Sequence, residues 1–573
     1  LLAFAAVVAA GLRWHEGWAD EGQAWNIARE MRWWPMVAHL LRYEGTPGLW
    51  HTLLWLLVRL HVTYTGMHYV AGLLAVAGIA VFLRFAPFPR YLKLLLPFTF
   101  FLAYQDAVVA RSYVFFTGLG FASAATLCAR RPRPVLLALL LGLVANISFH
   151  GCILSGGLAA VALFRFRRID LLPPRTARIA SALLLCFWAA AIATILPTPH
   201  DLNFAEANAF HKTRVWAPGP PGNPQGGRWI YANDQIPVDP NPDLPHLVTP
   251  EDATHSLTMQ PGELAPIPFV RPHFPLPHRL WLKTAHILGL ITFPLSTYPF
   301  LGLSAVALLC AFALSRPPSP QTGHLGWVPL LPYLFMLLAF SRFYLAPRHA
   351  GTLFTAFLIS LWLAWPRSSQ TNAPPPSRAS WVQVALTTVL ILIAVQQIGW
   401  TEDAVTSDQQ QPYSGDWATA HFLKTAIHQG PVASFYYHAN GALAYTPGYH
   451  YINHPHSYWL WSTTQRINQQ APTVLAQHPL YVIVGGFSWG NQGDVEVDWA
   501  DPFAGFPFMP MADSYRIMSF FKQNGYIEKD RFCGRLFMRD GYSEEVCNTV
   551  LQRTNPAPTP DLATSHPQGR PPR

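Results

Sequence analysis

Apolar stretches bounded by short polar or basic segments recur along the first 400 residues, and they leave few folds open. They run at roughly 66–83, 91–104, 112–128, 135–149, 152–164, 179–196, 298–314, 326–345, 350–365 and 380–399, after a shorter first run, Leu1–Leu12. A helix crossing a bilayer core of about 30 Å needs about 20 mostly apolar residues. The pattern predicts a mostly α, polytopic membrane protein with about eleven transmembrane helices. Composition agrees, since 12% of the 573 residues are charged, against about 25% in soluble domains. Despite a net charge of +9, no run of Lys and Arg interleaved with aromatics suggests a nucleic-acid groove. Membrane lipids, not nucleic acid, are the expected surroundings. The chain opens on Leu and its first run is short for a span, so a preceding N-terminal segment is expected.

Two further apolar stretches, 47–60 and 281–296, read as helices lying at the membrane interface. The connections Arg84–Lys93, Arg130–Arg133, Arg165–Arg178 and Arg367–Arg378 are short and basic, which marks the cytoplasmic side. Spans alternate correctly between them only if those two stretches do not cross. Residues 13–65, 105–111, 150–151, 197–297, 346–349 and everything after 400 then share the outer face. The first outer loop is 13–65. The long outer loop 197–297, rich in Pro and Gly, reads as an extended segment able to order over a substrate. Residues 1–400 thus form a transmembrane domain, with a cytoplasmic Pro-rich linker at 368–377.

From about 400 the pattern becomes that of a soluble α/β domain, 401–554. Pro431–Tyr436 and Leu480–Val484 read as buried strands, 416–428 and 512–523 as helices, and the Pro-dense 555–573 as a disordered tail. Cys128, Cys152, Cys186 and Cys310 lie in or beside apolar runs, where packing is their default role. Cys533 and Cys547 can form one disulfide if the domain is outside, and no zinc spacing is present.

The polar residues of the outer face carry the functional reading. Trp14-His15-Glu16-Gly17-Trp18-Ala19-Asp20-Glu21 follows the first apolar run, and two adjacent carboxylates at headgroup depth are costly unless they bind a cation, pair with a base or do chemistry. Asp20 and Glu21 can equally cap the helix expected over 23–32. Arg42-Tyr43-Glu44 adds an acid in the same loop, and Gln105-Asp106 to Arg111-Ser112-Tyr113 adds another acid and a base. Asp106 and Arg111 either pair with each other, or Asp106 holds a metal or orients substrate while Arg111 grips a phosphate. Arg348 and His349 place positive charge where topology does not ask for it, so they want an anion, either a lipid headgroup or a substrate phosphate. Asn146 and His150 lie about one helical turn apart near a span end, where His150 lines the same region or is a structural histidine. A carboxylate to deprotonate a hydroxyl, with cationic groups for a leaving phosphate, suits transfer from a lipid-phosphate donor.

Asp20-Glu21 after the first helix, Tyr43-Glu44-Gly45-Thr46-Pro47-Gly48-Leu49-Trp50, Ala110-Arg111-Ser112-Tyr113 and the Pro-rich outer loop together resemble the polytopic GT-C glycosyltransferases. The nearest likeness is to bacterial members of the protein mannosyltransferase and aminoarabinose transferase group. The resemblance covers roughly residues 1–400 and is most specific in the first loop. It implies a GT-C-like fold in the bacterial inner (plasma) membrane with the C-terminal domain on the periplasmic side. It also implies inverting transfer from a polyprenyl-phosphate sugar to a lipid, polysaccharide or protein acceptor. The catalytic base falls to Asp20, with Glu21 beside it and Glu44 among the acids. Tyr43, Asp106, Arg111, His150, Arg348 and His349 then stand around the donor. Metal dependence varies in that family, so no cofactor is required; a Mg or Mn ion on Asp20 and Asp106 is compatible. Thr46-Pro47-Gly48 departs from the His-Pro-Pro of many relatives, which removes one contact. Two other classes fit the residues less well. A transporter or flippase would put charges at mid-span in two related halves, and a non-catalytic assembly or polysaccharide-binding subunit would be indifferent to Asp20.

Overall fold

The computed structural model describes residues 1–17, 19–38, 40–43, 46–166, 173–196, 214–217, 228–231, 276–315, 325–342, 349–366, 377–435, 437–453, 471–488, 512–539 and 542–554. Helices dominate among the described residues, and a four-stranded sheet lies toward the C-terminus. Among the described residues, four helices are long and apolar enough to cross a membrane: Tyr64–Phe85, Phe149–Phe166, Pro174–Ile195 and Trp381–Gln410. Pro174–Ile195 carries the clearest signature, with only 11% of its apolar window buried inside the chain. Leu185 and Ile192 on it are 60% and 50% exposed. An apolar helix turned outward on most of its surface is what lipid, not water, accommodates.

Most of the remaining apolar runs are shorter helices: Leu2–Trp14 (α1), Val114–Leu127, Pro134–Ala145, Pro299–Leu314, Val328–Ser341 and Ala350–Ala364. The run 91–104 is not one helix. It breaks into Arg90–Leu95, a 3-10 turn Leu96–Phe98 and a π turn Phe101–Gln105. Pro97 explains the break, because it has no N–H and its ring collides with the preceding helical turn. The wide turn closes with Asp106 N–H donating to the Phe101 carbonyl at 2.9 Å, and it delivers the irregular backbone 106–111.

The first loop forms three helices, α2 Ala19–Glu30, α3 Trp33–Ala38 and α4 Leu49–Arg59. With 11 residues, α4 is about 16 Å long and too short to cross alone. Thr63 then starts α5, Tyr64–Phe85, by accepting the Gly66 N–H on its side chain. Inside the long loop, Arg214–Ala217 (β1) pairs antiparallel with Arg228–Tyr231 (β2), and a helix spans Leu276–Thr292. Residues 197–213, 218–227 and 232–275 of that loop, most of the linker and the tail 555–573 lie outside the described residues.

The C-terminal sheet has the order β3–β4–β6–β5, with β3 Val432–Phe435, β4 Tyr481–Ser488, β5 Tyr526–Arg539 and β6 Tyr542–Arg553. β3 and β4 run parallel, and the other pairings are antiparallel. Helices Asp416–Ala426 and Ala512–Gln523 accompany it. Cys533 and Cys547 face each other across β5 and β6 and are disulfide-bonded. This region docks on the first loop. Asn26 donates to the Asn440 carbonyl and Arg29 to that of Leu443, while Gly17 N–H donates to the Tyr445 hydroxyl. Gly22 meets Gly441 so closely that a Cβ there would stand 2.7 Å from the Gly441 Cα.

Candidate functional site

The first turn of α2 carries Asp20 and Glu21 side by side, and they face opposite ways. Asp20 points outward and pairs with Arg111 at 2.9 Å, both side chains keeping about a fifth of their surface exposed, 19% and 22%. Glu21 is fully buried and accepts the Ala110 N–H at 2.6 Å. The segment after the π turn is thus tied to α2 twice, by a backbone bond inside and by an ion pair outside.

Around Arg111 stands a group of rings. Its guanidinium lies 5.5 Å from the centre of the Tyr113 ring. Tyr113 is 6.0 Å from both His150 and His349, and those two imidazoles are 4.9 Å apart. His150 also stacks on Phe340. His150 begins the helix Phe149–Phe166 and His349 precedes Ala350–Ala364, so separate helix mouths converge on Arg111. Such a mouth offers a carboxylate–guanidinium pair and, across the Tyr113 ring, two imidazoles. That set can take a proton from a hydroxyl and hold an anion. No known protein family matches this chain, and no curated protein or solved structure is similar to it.

Of the residues singled out from sequence, Asp20, Arg111, His150 and His349 come together here. Arg111 pairs with Asp20, whereas Asp106 is buried on the other side of its turn. Asp106 accepts the Thr117 hydroxyl at 3.1 Å, with its second oxygen against Gly351 and without a hydrogen-bond partner. Glu44 and Arg348 lie outside the described residues, as does the side chain of Tyr43. Asn146 is structural: its amide donates to the carbonyls of Gly142 and Phe187. Among the described residues, groups of three His, Cys, Asp or Glu able to share an ion are His15/Glu21/His68 and Cys533/Glu545/Cys547, and neither contains Asp20 or Asp106.

The inner network had no counterpart in the sequence reading. His68 Nε2 lies 3.1 Å and His15 Nε2 3.5 Å from the two Glu21 oxygens. His15 Nδ1 reaches Asp408 at 3.2 Å, and the Tyr104 hydroxyl donates to the same oxygen at 2.8 Å. Burial lowers the His15 imidazolium, but with protons as the only cations Asp408 and Glu21 outweigh it and push it up to about 10. Burial likewise raises Glu21, yet the two imidazoles hold it well below the ordinary carboxylate range. Next to it, Glu16 accepts from the Ser414 hydroxyl and the Trp417 N–H, and burial pushes it up to about 7. The usable signal was His68, an ionisable residue four positions after Tyr64 in an apolar span.

Proposed function

We propose that this chain is a membrane glycosyltransferase of the GT-C type, moving a sugar from a polyprenyl-phosphate donor to an acceptor hydroxyl on the outer face of the bacterial inner membrane. The observation that carries the reading is the partly exposed Asp20–Arg111 pair at 2.9 Å, ringed by Tyr113, His150 and His349 at the mouths of apolar helices. Lipid-linked phosphate at headgroup depth meets this kind of site: cationic and hydrogen-bonding groups beside a carboxylate, with apolar helix surface next to it. The basic connections at Arg84–Lys93, Arg130–Arg133 and Arg165–Arg178 support an outer-facing first loop.

The donor phosphate competes with Asp20 for the Arg111 guanidinium, which grips phosphate oxygens in a forked geometry. Asp20, released, accepts the proton of the acceptor hydroxyl. The hydroxyl oxygen bonds the anomeric carbon, and the bond from that carbon to the phosphate oxygen breaks. Its electron pair leaves on the phosphate, which Arg111 and the two histidines stabilise, and the anomeric centre inverts. Asp106 and a divalent cation are left out of these steps. The acceptor is a lipid, a polysaccharide or a protein.

The test is sugar transfer and donor hydrolysis from labelled polyprenyl-phosphate sugars in proteoliposomes. Asp20→Asn should lower turnover about 10²- to 10⁴-fold with donor binding kept, and Arg111→Ala should weaken donor binding. Equal turnover in wild type and Asp20→Asn would remove the proposed base.

A further inference from the structure

Three buried ligand atoms converge behind the Asp20–Arg111 pair, from the residue that caps α1, the first turn of α2 and the second turn of α5. We propose that His15, Glu21 and His68 bind one divalent ion of the zinc class, in a closed site that pins the first loop in place. His68 Nε2 is 3.1 Å from Glu21 Oε1, His15 Nε2 is 3.5 Å from Oε2, and all the ligand atoms lie within 4.8 Å of one another. Ligands about 2.0–2.1 Å from a tetrahedral zinc ion stand about 3.4 Å apart, close to the two contacts with Glu21, and the widest ligand pair, at no more than 4.8 Å, closes on the ion by side-chain rotation.

The surroundings of the two imidazoles point the same way. A carbonyl oxygen can only accept, so the 3.1 Å contact of His68 Nδ1 with the Tyr64 carbonyl puts the proton on Nδ1. On His15, Nδ1 faces the Asp408 carboxylate, which also accepts from Tyr104. Both outer nitrogens are therefore engaged as donors, which leaves each Nε2, facing the Glu21 carboxylate, to carry either a proton or a metal ion. Both Nε2 atoms are buried and lack a hydrogen bond. Metal-bound histidines are held in this way, one nitrogen on the ion and the other on a carboxylate or carbonyl. Gly17 keeps the space open: a Cβ on it would lie 2.8 Å from His68 Nε2 and 2.3 Å from the Tyr64 hydroxyl, itself buried and unbonded. Two imidazoles and a carboxylate favour zinc over magnesium or calcium, which prefer all-oxygen sets. The other candidate group, Cys533/Glu545/Cys547, is closed by its disulfide.

The ion would be a positioning element, because its ligand Glu21 neighbours Asp20 and also holds the Ala110 N–H next to Arg111. The test uses the full chain purified in detergent after expression with zinc and dialysis, without any sugar donor. Metal analysis should find about one zinc per chain, retained in Asp20→Asn and Asp106→Asn and lost in His15→Gln and His68→Gln. Because those histidine variants can misfold, stripped wild type is also titrated with Co(II), whose visible bands should report a tetrahedral nitrogen and oxygen site. Wild type with no bound zinc and no cobalt bands would overturn the proposal and leave protons alone holding the cluster. Full zinc in both histidine variants would overturn it too, as metal bound elsewhere. Zinc kept in an inactive or a fully active Asp20→Asn separates this result from the fate of the transferase reading.

Discussion

Tyr104→Phe measures how firmly the long helix Ser377–Gln410 is tied to the π turn Phe101–Gln105. The Tyr104 hydroxyl donates to Asp408 Oδ2 at 2.8 Å, and His15 Nδ1 reaches the same oxygen at 3.2 Å. Asp408 Oδ1 has no hydrogen-bond partner, and Asp408 and Tyr104 are 5% and 0% exposed. The substitution removes one oxygen and leaves the ring stacked on Phe100, so packing changes little. What is lost is one buried hydrogen bond to a carboxylate, about 1.5–3 kcal/mol. The upper half of that range is expected, because the carboxylate is left buried with a single partner. Unfolding by denaturant in detergent, followed by tryptophan fluorescence, reads the difference, with zinc in constant excess so that binding at His15 cancels. A cycle with Asp408→Asn should give a coupling of at least about 1 kcal/mol. A Tyr104→Phe protein within about 0.5 kcal/mol of wild type, or an additive cycle, would refute the link.

Three more outcomes use the same assay. Gly22→Ala should destabilise by about 1–3 kcal/mol, since its Cβ would meet the Gly441 backbone, which has no flexible end to move; Gly399→Ala, with nothing within 4 Å, should be neutral or stabilising. Burial holds the Asp416 carboxyl well above its ordinary range, with Glu16 and Glu21 adding to the effect. The folded state therefore keeps a proton that the unfolded chain has lost, and stability relative to Asp416→Asn should fall as pH rises from the usual carboxylate range toward neutrality; a pH-independent difference would rule this out. Reduction, or Cys533→Ser with Cys547→Ser, should cost about 2–4 kcal/mol, and wild type that unfolds identically with and without reductant would exclude a stabilising bridge.

Helix positions were legible because lipid burial demands long apolar runs, and most of those runs are helices within a few residues of their expected limits. The exception, 91–104, turns on Pro97, a local rule that the apolar pattern hides. Strands β3 and β4 were legible as continuous buried runs, but β5 was not. Its first half, Glu528-Lys529-Asp530-Arg531, is charged and exposed at the sheet edge, which is how edge strands avoid further pairing. Asp540-Gly541 was the overlooked hairpin signal. At the site, sequence found Asp20 and Arg111 separately, yet offered Asp106 as the arginine's partner. That pair stands five positions apart, and the irregular backbone that follows the π turn sends the two side chains to different partners, Thr117 and Asp20. His15 and Asp408, separated by 393 positions, had no local pattern to reveal them.

Alternation of neighbouring residues is what makes the outer chemistry depend on the inner network. Asp20 faces out and Glu21 in; Arg111 faces out and the Ala110 N–H in. The exposed ion pair, weak on its own at about 0–1 kcal/mol, does not fix its own geometry. That falls to the 2.6 Å bond one residue behind it and to the histidines that hold Glu21. On its far side α2 is held by the C-terminal region through Asn26, Arg29 and the Gly22–Gly441 contact. Asp20 is thus free to exchange Arg111 for a proton, and Arg111 to exchange Asp20 for an anion, while the backbone of α2 stays clamped from both faces. A disturbance of either clamp reaches the Asp20 carboxylate through α2, without touching the Asp20–Arg111 pair itself.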